Sequence, residues 1–154
     1  MDKIKCIQKM WYVEGLNFDC NRCGNCCTGS PGYVWFNDQE ALAMAEYLGL
    51  SEQVFRSRYA RLKYGKWTLS EIRNNNRYDC VFLRRDEADL SLCSIYPVRP
   101  LQCQTWPFWP ENLTTMRAWR EAGRRCDGIG QQGRCYSCDE IRAIVSLHHE
   151  DEGT

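Results

Sequence analysis

Four cysteines fall within one short stretch, FDCNRCGNCC at residues 18 to 27. They are Cys20, Cys23, Cys26 and Cys27. A two-residue gap recurs in metal sites because a turn of that length lets two sulfurs converge on one centre. The first three thiols have the C-x2-C-x2-C spacing with which bacterial-type ferredoxins surround an iron-sulfur cluster. Cys27 directly follows Cys26, and adjacent side chains usually diverge, so it is expected to face a second centre or a remote partner. Further thiols lie at Cys80 and Cys93, then Cys103, Cys126, Cys135 and Cys138, with Cys6 apart. The chain has 11 cysteines and only 2 histidines, so a site built here is nearly all sulfur. Such donor sets suit zinc, iron-sulfur clusters and copper(I), and exclude magnesium and calcium.

The thiols are not needed as disulfides for folding. With 154 residues and 44% hydrophobic composition the chain can build a core unaided. An odd number of cysteines cannot all pair within one chain. The opening MDKIKCIQKMW has no apolar h-region and no cleavage site, so a cytoplasmic protein with reduced thiols is expected. The longest apolar run, ALAMA, is far short of the roughly 20 residues of a membrane span, and a soluble chain is expected. Basic and acidic side chains number 20 each, so no global field gathers nucleic acid or an anionic membrane. GIGQQG lacks the Lys and Ser/Thr of a P-loop, and nothing resembles a Ser-His-Asp triad. The chemistry therefore rests with sulfur.

Several elements must position these thiols. NDQEALAMAEYLGL reads as a helix capped at Asn37 or Asp38, with Leu42, Ala45 and Leu48 on its apolar face and Gly49 as its stop. Ser51 caps a second helix whose periodicity runs from Val54 to Leu62, with Gly65 ending it. GYVWF, WTLSEIR, RYDCVFL and LSLCSIY read as strands, the last two joined by the charged turn RRDEAD. Cys80 and Cys93 then lie on two arms of one hairpin, which brings them to one face. YPVRPLQCQTWPFWP holds four prolines and is expected to be a rigid loop. A helix follows over NLTTMRAWREAGRR, and a last one begins near Cys138, where Ser137 and Glu140 stand in capping-box relation. Glycines near the first cluster let backbone N–H groups approach sulfur, and Trp35, Trp106, Phe108 and Trp109 are available to exclude water.

FDCNRCGNCC, CVFL, CSIYPVRPLQCQTWPF and CDGIG, taken in that order, resemble the bacterial CxxCxxCC family of YkgJ-type cysteine cluster proteins, which are zinc- or iron-chelating domains. The resemblance runs from about Trp11 to about Gly133. It implies a ligand set of Cys20, Cys23, Cys26, Cys27, Cys80, Cys93, Cys103 and Cys126, with Tyr96, Arg99 and Pro100 as a signature before Cys103. Asp127 and Asp89 depart from the proline and glycine expected at their positions. Both lie in turns and leave the ligands intact. Similar modules occur in a flagellin lysine methylase, where the implied role is an iron-sulfur one.

These observations predict an α+β fold in a single cysteine-rich domain over residues 1–154, with the family core at 11–133 and a C-terminal helix at 138–149. The expected function is that of a cytoplasmic iron-sulfur protein, 4Fe-4S in type, that serves redox chemistry or supports a modification reaction with an unidentified redox or protein partner. Eight thiols suffice for two four-thiolate centres. One would use Cys20, Cys23 and Cys26 with a remote fourth thiol, the other Cys27 and the remainder. The alternatives are a zinc-stabilised binding module without chemistry of its own and an enzyme using open-coordinated non-haem iron. Cys135 and Cys138 form a further C-x2-C pair, although Cys138 at a helix start equally suits a buried core thiol.

Overall fold

The computed structural model describes residues 10–130 and 132–151, with side chains through residue 148. In chain order the elements are β1 (Leu16–Phe18), α1 (Asp38–Tyr47), α2 (Glu52–Tyr59), β2 (Ala60–Lys63), β3 (Lys66–Leu69), β4 (Glu71–Asn74), β5 (Arg77–Cys80), β6 (Leu83–Arg85), β7 (Ser91–Cys93), a 3-10 turn (Tyr96–Val98), α3 (Leu101–Thr105), α4 (Pro110–Leu113), α5 (Met116–Arg125), β8 (Arg134–Tyr136) and α6 (Cys138–Asp151). The fold is α+β, as the sequence predicts, with strands in small antiparallel pairs. The chain divides into two compact units, one spanning Arg22–Gln104 and the other formed by its two ends, up to Asn21 and from Thr105 onward.

In the unit Arg22–Gln104, α1 begins where its capping signal places it. The Asn37 side chain accepts from the Glu40 N–H, and Glu40 Oε2 accepts from the Asn37 N–H. This reciprocal bonding satisfies donors that a helix start leaves open. The buried face is Ala41, Met44 and Ala45; of the expected apolar residues Ala45 is buried and Leu48 packs against the core, whereas Leu42 is exposed. Small alanines there let the helix approach its neighbours closely. α2 is capped by Ser51, which accepts from the Val54 N–H, but it stops at Tyr59 and does not run on to Leu62. Residues 60–63 turn extended and pair with β3, in the register Lys63↔Lys66. Tyr64 and Gly65, both at positive φ (52° and 75°), make the two-residue turn whose twist matches paired strands.

The remaining strands are shorter than the sequence suggests. GYVWF contributes only an isolated bridge from Trp35 to Thr68, and WTLSEIR divides at Ser70 into β3 and β4. RYDCVFL divides too, because Val81 and Phe82 are 8% and 2% exposed and turn into the core. Cys80 and Cys93 are therefore not arms of one hairpin. Cys80 pairs with Glu71 at the end of β5, and Cys93 pairs with Leu83 at the end of β7. Each cysteine closes its own hairpin beside a core of Phe36, Met44, Phe55, Leu69, Phe82 and Ile95, against which both are packed. The proline-rich segment forms short helices instead of a loop. Pro97 sits in the first turn of the 3-10 segment and Pro110 in that of α4, positions where a missing N–H costs nothing.

The unit formed by the chain ends pairs β1 with β8 in the register Asn17↔Cys135. Three-residue strands between turns have too little alternation to be read from sequence. A Cβ on Gly133 would lie 2.7–2.8 Å from backbone atoms of Phe18 and Asp19, so only glycine permits this approach. The NLTTMRAWREAGRR helix is two helices, α4 and α5, the latter capped by Thr115. α6 starts at the expected Ser137–Glu140 capping box and reaches Asp151. Tyr12, Phe108, Leu113, Trp119, Cys138 and Ile141 form this unit's core. No helix among the described residues is long and apolar enough to cross a membrane.

Candidate metal centre

Of the eight cysteines implied by the family resemblance, the unit Arg22–Gln104 holds Cys23, Cys26, Cys27, Cys80, Cys93 and Cys103. Cys20 and Cys126 belong to the other unit, Cys20 exposed just beyond β1 and Cys126 buried at the end of α5. Cys135 is exposed on β8. Cys138 is 4% exposed and disulfide-bonded, which removes the Cys135–Cys138 pair as a ready thiol site.

The segment carrying Cys23, Cys26 and Cys27 is tied to both hairpins. The Arg22 carbonyl accepts from the Ser91 N–H at 3.0 Å, Arg22 Nε donates to the Ser91 carbonyl at 3.0 Å, and Arg22 Nη2 pairs with Asp86 at 2.8 Å. Gly24 has a φ of 79°, and a Cβ built on it would lie 2.8 Å from the Ser91 Cβ. Glycine is thus required where the cluster segment meets β7. Side chains two apart on a strand share a face, so Cys93 faces the same side as Ser91. Beyond Gly24 the Cys27 N–H donates to the Gly24 carbonyl at 2.9 Å, which closes a turn. The Cys27 and Gly29 carbonyls accept from the Cys80 and Tyr78 N–H groups at 2.7 and 2.8 Å, which lays the segment along β5. The Thr28 hydroxyl donates to Asp79 at the same junction.

Cys103 arrives from the third direction, on α3. Glu40 Oε1 accepts from the Leu101 N–H at 2.7 Å. Gln102 accepts from the Trp35 N–H at 3.0 Å and donates to the Tyr33 carbonyl at 2.8 Å. The sequence reading assigned no role to Glu40 or Gln102. Their long-range bonds leave no periodic signal.

Five of these thiols act on one another electrostatically. The Sγ atoms of Cys26 and Cys27 are 3.7 Å apart, so the two side chains do not diverge as expected. Their hydrogen bond, then a backbone hydrogen bond and last the charge of Arg99, bring Cys26 down to about 7 against the burial that raises it. Cys27 is pushed up, by that same bond first, then by burial and by the charges of Cys26, Cys80 and Cys103. Burial raises Cys80 to about 11 and Cys103 to about 12, and neighbouring thiolates add to both shifts. Cys93 is raised by burial and by Cys26. The backbone N–H groups of Phe82 and Ile95 pull the other way, donating to Cys80 and Cys93 respectively. Each donor lies two residues beyond its cysteine, so both hairpin ends present sulfur in the same local arrangement.

This donor set fits a soft or borderline metal. Five sulfurs that repel one another's charge form a site short of positive charge, which a cation supplies, and backbone N–H groups already face two of the sulfurs to favour the thiolate. Among the described residues no three His, Cys, Asp or Glu side chains are gathered closely enough to enclose a single ion. Trp35 belongs to this unit, whereas Phe108 fills the other unit's core.

Residues 19–127 match the model of a protein family named CxxCxxCC and described as a "putative zinc- or iron-chelating domain". The matched range includes all six thiols of the unit Arg22–Gln104 together with Cys20 and Cys126. No solved structure matches the chain.

Proposed function

Since the chain belongs to the CxxCxxCC family, whose description is metal chelation, we propose that it is an iron-sulfur protein of the cytoplasm, with its centre on the thiols of the unit Arg22–Gln104. The observation that carries this reading is the mutual influence of Cys26, Cys27, Cys80, Cys93 and Cys103, delivered by a turn, two hairpins and a helix. Thiols delivered from several elements within electrostatic reach of one another suit a polynuclear cluster whose iron atoms each take a separate thiolate. When bound, the cluster supplies one-electron chemistry, exchanged with a protein partner or used in a modification reaction. The chain's own groups hold it and adjust its charge. Cys80 and Cys93 offer sulfurs that accept from backbone N–H groups, and the charge of Arg99 pulls Cys26, Cys93 and Cys103 down.

Zinc is the second reading, favoured by one distance. Two thiolates on a tetrahedral zinc, with Zn–S about 2.3 Å, stand about 3.8 Å apart, close to the 3.7 Å between Cys26 and Cys27. Colour and sulfide separate the readings. Protein purified without oxygen should be brown, contain iron with acid-labile sulfide, and bleach with dithionite. Colourless protein with stoichiometric zinc and no sulfide, from cells supplied with iron, would refute the iron-sulfur assignment.

A further inference from the structure

The segment from Tyr33 to Phe36 runs antiparallel beside β3. The Val34 carbonyl accepts from the Leu69 N–H at 3.0 Å, and the Phe36 N–H donates to the Trp67 carbonyl at 3.3 Å. Residues opposite one another, and residues two apart, share a face. One face holds Phe36 and Leu69, buried in the core, with Val34, Ala60 and Trp67 packed against it. The other face follows from the pairs Trp35↔Thr68, Arg61↔Thr68 and Lys63↔Lys66. It carries Tyr33, Trp35, Arg61, Lys63 and Lys66, with Thr68 fully buried among them. The Tyr33 and Trp35 rings stack at 4.7 Å and 15°, Tyr64 meets Tyr33 edge-on at 6.1 Å, and the Arg61 guanidinium carbon lies 5.6 Å from the centre of the Tyr33 ring. Tyr33 is 39% exposed and Tyr64 84%. Tyr64 holds a positive φ of 52°, which Gly or Asn adopts more easily, so the turn alone does not call for its ring. Lys63 and Lys66 flank that turn, are exposed, and join no ion pair among the described residues, whereas Arg61 is paired with Glu71.

We propose that this outward face, with Tyr33 and Tyr64 at its centre and Lys63 and Lys66 at its rim, docks an acidic protein that exchanges electrons with the thiolate centre. The inference rests on the metal-centre reading for the electron and on the face alone for the docking. Charge selects the partner. Two unpaired cations are complementary to carboxylates, and charges on a rim speed the encounter of two proteins. Geometry argues against a nucleic-acid strand: bases stack on open ring faces, whereas Tyr33 and Trp35 cover one another and Arg61 lies over Tyr33. Position supplies the purpose. Gln102, the residue before Cys103, accepts from the Trp35 N–H at 3.0 Å and donates to the Tyr33 carbonyl at 2.8 Å. A partner seated on Tyr33 thus touches a segment fastened to the helix that carries Cys103. Redox encounters use small interfaces, and a patch of this kind suits one. The step moves one electron from the reduced partner to the oxidised centre, with no bond made or broken.

The test uses the full-length protein purified without oxygen, its Lys63→Glu/Lys66→Glu and Tyr64→Asn variants, and a small acidic 2Fe-2S ferredoxin as the probe. Asparagine tolerates the positive φ at position 64, so that variant removes the ring and keeps the turn. Docking is read from the amide resonances of the isotope-labelled protein as oxidised ferredoxin is added, in whichever metal state the protein is purified. Electron exchange is read by stopped-flow reduction of the centre with reduced ferredoxin. Resonances of residues 33–35 and 61–66 should shift, and high salt should abolish the shifts. The charge-reversed variant should lose them and be reduced about 10-fold more slowly at low salt, the lower range for electrostatic steering. Tyr64→Asn should weaken docking without removing its salt dependence. Both variants should keep wild-type iron and sulfide and be reduced by dithionite as completely as wild type. Three results overturn the docking surface and leave the metal centre standing: no shifts at this face with ferredoxin, rates indifferent to charge reversal, or shifts here with a single-stranded oligothymidylate and not with ferredoxin. Ferredoxin shifts at this face in protein free of iron and sulfide overturn the electron exchange and the iron-sulfur reading, and retain the docking surface.

Discussion

Gly24 is the residue on which the meeting of the cluster segment with β7 depends. Its positive φ and the closeness of Ser91 leave no room for a side chain. Gly24→Ala should therefore destabilise the metal-free protein by about 1–3 kcal/mol through backbone strain and displacement of Ser91, and it should lower metal content. Chemical denaturation reads the first effect and metal analysis the second; an unchanged denaturation midpoint would show that the segment yields freely. The thiols themselves set a pH dependence. Cys80 and Cys103 ionise at about 11 and about 12 instead of 9.0, so the fold favours their neutral forms. In metal-free protein that contribution is fully present below about pH 9 and is lost as pH rises through the folded-state values, because the unfolded chain ionises first. Wild type should accordingly lose stability between pH 9 and 12 faster than Cys103→Val, whereas parallel curves would contradict the shift. The cysteines were legible individually, since sulfur at motif spacing has few other uses. Their distribution between the units was not, because Cys20 and Cys23 are only three positions apart in sequence yet belong to different units.

Among the elements, the helix starts with strong terminal signals were readable, whereas the strands were readable in place but not in length or pairing. Asn37, Ser51 and Ser137 each announce a helix start through a local hydrogen bond, and local chemistry is what a sequence displays. The four-residue arms of the β2–β3 hairpin carry too little alternation to overrule the helical spacing that precedes them. Phe82 ends a strand only because the core it enters is assembled from distant residues. α3 illustrates the functional consequence. This helix, only five residues long, cannot stand alone, and it is fixed by Glu40, which also caps α1. Glu40→Ala removes both bonds and should cost about 2 kcal/mol, as expected for hydrogen bonds to a charged acceptor. Amide exchange at residues 101–105 should rise more than at β2–β3. Uniform acceleration, or none, would mean that Cys103 is positioned by other contacts.

At the scale of the whole molecule, each unit has a core of its own, and the thiols that influence one another belong to the unit Arg22–Gln104. Single Cys→Ala changes at Cys26, Cys27, Cys80, Cys93 and Cys103 should each reduce bound metal several-fold. Cys135→Ala, at an exposed strand position outside the family match, should leave it unchanged. Equal retention across the five variants would separate the electrostatic cluster from the metal site. The family resemblance was legible because motif order survives changes in the turns. The α+β class was legible because helical and strand periods alternate along the chain. The central claim, an iron-sulfur centre held by thiolates of this unit, is tested most directly by X-ray absorption at the iron edge of protein purified without oxygen. The account predicts a first shell composed of sulfur alone, with iron-iron scattering beyond it. A shell containing nitrogen or oxygen, or an iron signal absent where a zinc edge with four sulfurs is present, would contradict it.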